Sequence, residues 1–138
     1  MSINIQRNQK KRVVIVGGGL GGLRLAEDLY GSGMQVVLID KNNFHQFPPL
    51  IYQIASAGID PSSISFPFRQ IFRKRKDFYF RMAEARMVDT DKKILQTSIG
   101  KIDYDYLVLA AGATTNFFGN KNIEEWAIPM KTVPEAMG

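Results

Sequence analysis

The sequence predicts an α/β fold built on a buried parallel sheet. Three observations carry this. Two short apolar runs (Val13–Val16, and Val36–Ile39 within the strand Gln35–Ile39) flank a segment with helical spacing. A third such run, Tyr106–Ala110, returns late in the chain. Between them lie three short strand-like segments separated by turns. Uninterrupted apolar runs of this length mark strands covered on both faces, the usual condition of parallel sheets.

Val13–Val16 reads as the first strand. After it, Leu20, Leu23, Ala26, Leu29 and Tyr30 recur every three or four residues along one helix face, and "GSG" at 31–33 ends the helix. "QVVLI" is the second strand, so residues 12–40 form a βαβ unit with an expected right-handed crossover. Residues 41–65, "KNNFHQFPPLIYQIASAGIDPSSIS", hold aromatics and three prolines with little periodicity, and read as a long ordered loop carrying one short helix. A helix is expected over Phe66–Lys76, ending in the basic run "RKRK", followed by a third parallel strand at Asp77–Met82. "EARMVDT", "KKILQTS" and "KIDY" read as short strands with turns at Asp91-Lys92 and Ile99-Gly100. "YLVLA" returns to the buried parallel type. Near the end, Thr132, Pro134 and Glu135 form a capping-box signature. A helix that stops at Gly138 is too short to hold itself, which leads to the expectation of an N-terminal piece of a longer protein.

The chain has 138 residues, 45% hydrophobic and 22% charged, with a formal net charge of +5, so one domain is expected and anionic partners are favoured. There is no cysteine, which excludes disulfide frameworks, Cys-type zinc sites, iron–sulfur clusters and thiol–disulfide chemistry within these residues. The first eleven residues read as a polar tail; no signal peptide is evident and no apolar run reaches membrane-spanning length, so a cytoplasmic location is expected. Nothing beyond net charge points to nucleic acid, and no metal-ligand cluster is evident.

The chemistry concentrates at Gly17-x-Gly19-x-x-Gly22, after a strand and opening a helix, with five glycines in six positions. The first glycine permits the tight turn, the second admits pyrophosphate oxygens to the backbone, and the third packs helix against strand. The anion then meets a helix N-terminus. An acid at the end of the second strand takes the ribose hydroxyls, and Asp40 stands there, with Lys41 beside it. Free ribose hydroxyls disfavour NADP. The motif alone leaves NAD and FAD open.

The remainder of the chain differs from a plain NAD module by its aromatic loop and its meander. "RVVIVGGGLGGLRLAEDL", "FPPLIYQIASAGID" and "DYLVLAAGATTNFFG" together resemble the N-terminal flavin-binding part of type II NADH:quinone oxidoreductases, in the two-dinucleotide-domain flavoprotein superfamily. The resemblance runs from about Lys11 to Ala136 and implies a three-layer, Rossmann-like FAD/NAD(P)-binding fold, with helices on one face of the sheet and the meander on the other. It implies that Gly17, Gly19, Gly21 and Gly22 face the FAD pyrophosphate, with Asp40 on the adenosine ribose. It sets the backbone of Ala85 against the adenine, and Ala111 and Gly112 against the flavin nucleotide; the family's "ATG" turn reads "AAG" here. Pro49, Leu50 and Gln53 fall near the isoalloxazine or the quinone path. NADH would be held by a domain absent from this chain, since no second GxGxxG follows Lys41. Quinone and NADH are the implied partners, with peripheral membrane contact through a missing C-terminal region and a homodimer left open. His45, the one histidine, reads as a polar loop residue without a catalytic role. Two other readings stay open: the FAD domain of a ferredoxin reductase or sulfide:quinone reductase, and a nucleotide-sensing regulatory module.

Overall fold

The computed structural model describes residues 1–137. The first strand, β1 (Arg12–Val16), leads through the glycines into α1 (Leu20–Asp28), which returns the chain to β2 (Gln35–Asp40). Then come β3 (Phe44–Gln46), a 3-10 turn at Pro48–Leu50, α2 (Ile51–Ala55), a second 3-10 turn at Pro61–Ser63, and β4 (Ser65–Pro67). After α3 (Phe68–Ile71) follow β5 (Phe78–Met82), β6 (Ala85–Asp89), β7 (Ile94–Thr97), β8 (Gly100–Asp103) and β9 (Tyr106–Leu109). Two short helices, α4 (Lys121–Trp126) and α5 (Val133–Ala136), close the described residues.

Four strands form a parallel sheet in the order β5-β2-β1-β9. Its registers pair Val13 with Val36 and with Tyr106. Alternate side chains of β1 and β2 leave on opposite faces, and both faces are covered, which explains the unbroken apolar runs. Val13, Ile15, Val36 and Leu38 pack with Ala26 of α1 and with Phe68, Phe72 and Phe80. Val14, Val16, Val37 and Ile39 pack on the other face against Leu95 and Ile102 of the antiparallel meander β6-β7-β8 and against Tyr104, which follows β8. The three-layer arrangement is therefore built as the sequence implies.

Two expectations need correction. The first concerns the polar tail: Ile3 and Ile5 are buried against the meander, and Ile3 N–H donates to Lys101 O at 2.8 Å. Asn8 and Lys10 bond Asp77, and Arg7 pairs with Asp103 and Asp105. Two isolated isoleucines among polar residues give no periodic signal, so the segment's role is invisible before folding. The second concerns the helix over Phe66–Lys76, which is a single turn. Ser65–Pro67 is taken by β4, and Lys74 and Asp77 adopt left-handed backbone (φ 70° and 59°), which stops helix propagation. Phe72 then stacks on Phe78 (centroids 3.8 Å apart), and within the basic run the Arg75 guanidinium lies 4.7 Å over the Tyr30 ring. The chain divides into two compact units, residues 1–45 with 67–111, and residues 46–66 with those from 112 onward. The second unit has a core of its own, in which Ile51, Ile54, Ile64 and Val133 pack with Leu50, Ile59 and Ala136. Its helix α5 carries the expected capping box, with Thr132 and Glu135 each satisfying the other's backbone N–H. Residues 41–65 are also richer than a loop: two strands and two 3-10 turns accompany the one expected helix.

Arg12 is the least expected core residue. Its guanidinium is 2% exposed; Nε donates to Gln35 Oε1 (2.6 Å), Nη1 to Asp103 Oδ1 (2.7 Å) and Nη2 to Ile5 O (3.1 Å). It ties the N-terminal segment, β2 and β8 to the start of β1. Burial lowers its pKa, and the carboxylates of Asp103 and Asp105 oppose that. Asp105 accepts the Arg12 backbone N–H at 2.7 Å, and this bond, with the Arg7 side chain, holds its carboxyl below the usual carboxylate range.

A carboxyl with a depressed folded-state pKa contributes stability that is complete above the unfolded value of about 3.9 and is lost as pH falls through the folded value. Asp105→Asn is therefore expected to lower the melting temperature at pH 7 and to flatten the stability loss between about pH 5 and pH 2. Thermal denaturation of both chains across that range checks this.

Candidate functional site

The carboxyl ends of the parallel strands gather the candidate residues of the first unit. The chain goes from β1 to β2 on one side and has β9 on the other, so β1 ends where the strand order reverses. Such a switch point opens a crevice beyond the strand ends, where ligands of α/β sheets bind. Gly17–Gly22 follow β1, Asp40 ends β2, Ala85 begins β6 just beyond the end of β5, and Ala111 follows β9.

The five glycines divide by what surrounds them. Gly17 has φ +102°, and a β-carbon there would lie 2.2 Å from Ala110 O, where β9 closes on β1. Gly22 is buried, and a β-carbon would lie 1.8 Å from Gly17 O; this glycine lets α1 start directly over the end of β1. Gly18 is buried against the Phe68 ring. Gly19 and Gly21 are exposed, and nothing lies within 4 Å of where their β-carbons would stand. Gly22 serves packing, as its place in the motif implies, and Gly19 and Gly21 face open space. In the first turn of α1, Gly21 forgoes about 0.5–1 kcal/mol relative to alanine and gains no packing in return. No side chain caps α1, and its first turn holds no acid, so its leading N–H groups stay available to an anion.

Asp40 anchors this cradle. Its Oδ2 accepts the Gly18 N–H and its Oδ1 accepts the Asn42 N–H, both at 2.7 Å, while its backbone carbonyl accepts Ala83 N–H at 2.8 Å. Each carboxylate oxygen keeps a second lone pair for an incoming hydroxyl. Lys41 is exposed beside it, and Ala85 is half-buried at the start of the meander. His45 does not behave as a surface loop residue. It is 6% exposed, and its Nδ1 lies 2.8 Å from Gly18 O. Neither His45 nor Phe68 was legible as part of the site; a lone histidine in a proline-rich loop carries no spacing signal.

The second unit holds the other candidates. Leu50 is half-buried on that unit's core, Pro49 is exposed in the 3-10 turn, and the carbonyl of Gln53 accepts N–H groups from Gly58 and Ile59. Gly112 is exposed with φ +74°.

The glycine loop, the acid on β2 and the meander recur in known proteins. The pyridine nucleotide-disulphide oxidoreductase family model matches residues 11–136. The chain belongs to this family. Within it, the chain is 34% identical over 134 residues to a Mycobacterium tuberculosis type II NADH:quinone oxidoreductase, NdhA, covering 93% of this chain and 28% of that protein. Among solved structures, NDH2 of Plasmodium falciparum in complex with NADH aligns with a TM-score of 0.85 at 26% identity, over 94% of this chain and 28% of that one. The sulfide:quinone oxidoreductase of Aquifex aeolicus aligns with a TM-score of 0.84 at 31% identity, over 92% and 30%. The chain thus spans less than a third of the length of these relatives. Despite the family's name, it contains no cysteine.

Substituting the two kinds of glycine separates packing from binding. Gly22→Ala is expected to destabilise the chain by about 3 kcal/mol or more, because the clash is with backbone that cannot step aside. Gly21→Ala is expected to leave stability unchanged or raise it by up to about 1 kcal/mol. Urea denaturation of the two variants beside the wild type measures both.

Proposed function

We propose that this chain is the FAD-binding portion of an NADH:quinone oxidoreductase that passes electrons from NADH through FAD to a quinone. The observation that carries the reading is the open pair Gly19 and Gly21 at the uncapped start of α1, with Asp40 fixed beside them. Backbone without side chains at a helix N-terminus suits a pyrophosphate, and an acid ending β2 suits an adenosine ribose. The β-meander inserted before β9 supports FAD over NAD, because a simple NAD module would continue with βα units. The relatives' names add NADH and quinone.

When bound, FAD supplies the two-electron chemistry; the protein binds, orients and shields it. Gly19 and Gly21 would leave room for the pyrophosphate against the N–H groups of α1, and Gly17 and Gly22 hold those groups in place. Asp40 would accept the ribose hydroxyls on its free lone pairs, with Lys41 at its edge. Ala85 would offer backbone to the adenine, and Ala111 and Gly112 a second backbone approach. Pro49 and Leu50 would stand toward the isoalloxazine or the quinone path. A quinone acceptor implies a parent protein peripheral to a membrane, on its cytoplasmic face; no helix of the described residues is long and apolar enough to cross one.

The match to a sulfide:quinone oxidoreductase favours a second reading, in which the same FAD domain serves a sulfide donor. Reduction of a quinone by the longer parent protein, with NADH or with sulfide as donor, separates the two.

Chromatography of the nucleotide released on denaturing the purified chain is expected to show FAD; nicotinamide nucleotides alone would contradict the reading. Asp40→Ala is expected to weaken FAD by about ten- to a hundredfold, from lost charge-assisted bonds of about 1.5–3 kcal/mol. It should also lower the melting temperature of the apoprotein, since the N–H groups of Gly18 and Asn42 lose their acceptor. With NADH held elsewhere, the FAD-loaded chain is expected to oxidise NADH with a soluble quinone no faster than free FAD, because positioning supplies much of such a rate.

A further inference from the structure

We propose that His45 is a positioning residue for the pyrophosphate, acting by fixing the peptide group between Gly18 and Gly19; the proposal rests on the flavin-nucleotide reading above. Gly18 occupies a variable position of the Gly-x-Gly-x-x-Gly motif, yet both of its backbone polar groups are held by side chains. Its N–H donates to Asp40 Oδ2 at 2.7 Å and its carbonyl lies 2.8 Å from His45 Nδ1. A carbonyl only accepts, so Nδ1 carries the proton and donates it. Beneath Gly18 lies Phe68, fully buried, with its Cζ 2.2 Å from where a β-carbon would stand. His45 meets Phe68 edge-on (centroids 6.4 Å apart, 61° between planes), and Phe68 in turn lies 5.0 Å from Phe80. The histidine therefore sits in a fixed aromatic seat.

The consequence follows from peptide planarity. In a trans peptide the N–H of one residue points opposite to the carbonyl of the residue before it. The Gly18 carbonyl is drawn inward by buried His45, so the Gly19 N–H is turned outward. Gly19 is exposed, and no protein group accepts its N–H among the described residues. By the same rule, the Gly18 N–H held on Asp40 turns the Gly17 carbonyl the other way, to where Gly22 leaves room for it. Two side chains on the segment after β1, one on each side of Gly18, thus set the loop before any ligand arrives. Such preorganisation raises affinity by removing the ordering that binding would otherwise require.

The test compares His45→Asn, which keeps a donor close to the Nδ1 position, with His45→Leu, which keeps bulk and removes the donor. FAD affinity of the 138-residue chain is measured by flavin fluorescence, melting temperature of the apoprotein by calorimetry, and the Gly19 amide by 15N-resolved NMR. His45→Leu is expected to weaken FAD by about ten- to a hundredfold and to move the Gly19 amide resonance, whereas His45→Asn changes affinity less than about threefold and leaves that resonance in place. Equal losses for both variants, or full affinity in His45→Leu, would overturn the proposal. If His45→Leu does not fold, long-range 1H–15N correlation of wild-type His45 decides: a proton on Nδ1 supports the role, and a neutral ring protonated on Nε2 alone overturns it. If wild-type chain binds no FAD at all, the flavin reading fails, and the Gly19 resonance still tests whether His45 orients that amide.

Discussion

A carbonyl oxygen on Gly17 occupies the place where any β-carbon on residue 22 would have to stand. This close approach of α1 to the end of β1 is the constraint on which the first unit depends. It lets the chain leave a buried strand, reverse into a helix within four residues, and aim that helix's unpaired N–H groups over the strand ends. Gly17 meets the matching constraint on the opposite side, where Ala110 O leaves it no room for a side chain. Both contacts are backbone on backbone, so neither relaxes by a rotamer change. The crevice is shaped by the main chain, and side chains such as Asp40 and His45 then lock it.

Strands β1 and β2 were legible because both their faces are covered, whereas β9, expected to be of the same buried type, leaves Tyr106 and Leu109 exposed. In Val13–Val16 and Val36–Ile39, alternate residues serve two different cores, so each of these positions is apolar and the run stands out. The meander was legible by its turns, and the acid ending β2 by its distance from the glycines. Helix α5 was legible through the Thr132–Glu135 capping box, because caps are local chemistry written in adjacent residues.

What escaped the sequence is held together by contacts between distant positions. Arg12 looks like a boundary charge before a strand, yet three acceptors from different parts of the chain make its burial tolerable. Ile3 and Ile5 sit in a polar stretch that only the meander turns into structure. The helix expected over Phe66–Lys76 failed where the stack of Phe72 on Phe78 favours a tight return to β5 over further helical turns. His45 and Phe68 lie more than twenty residues from Gly18 and carry no motif, although together they decide how Gly18 sits. In the glycine motif the sequence already assigned Gly17 to the turn and Gly22 to packing, and the backbone contacts of both agree, while Gly19 and Gly21 face open space.

In the proposed function, the open glycines at the start of α1 receive a dinucleotide's pyrophosphate. The most direct measurement is an amide NMR titration of the 15N-labelled chain with FAD, with ADP and with riboflavin. FAD and ADP both carry the pyrophosphate and should move the amides of Gly19, Leu20 and Gly21 first and farthest, while riboflavin leaves them in place. Shifts from FAD that spare these three amides and fall instead on the meander or on the β5 edge would contradict it.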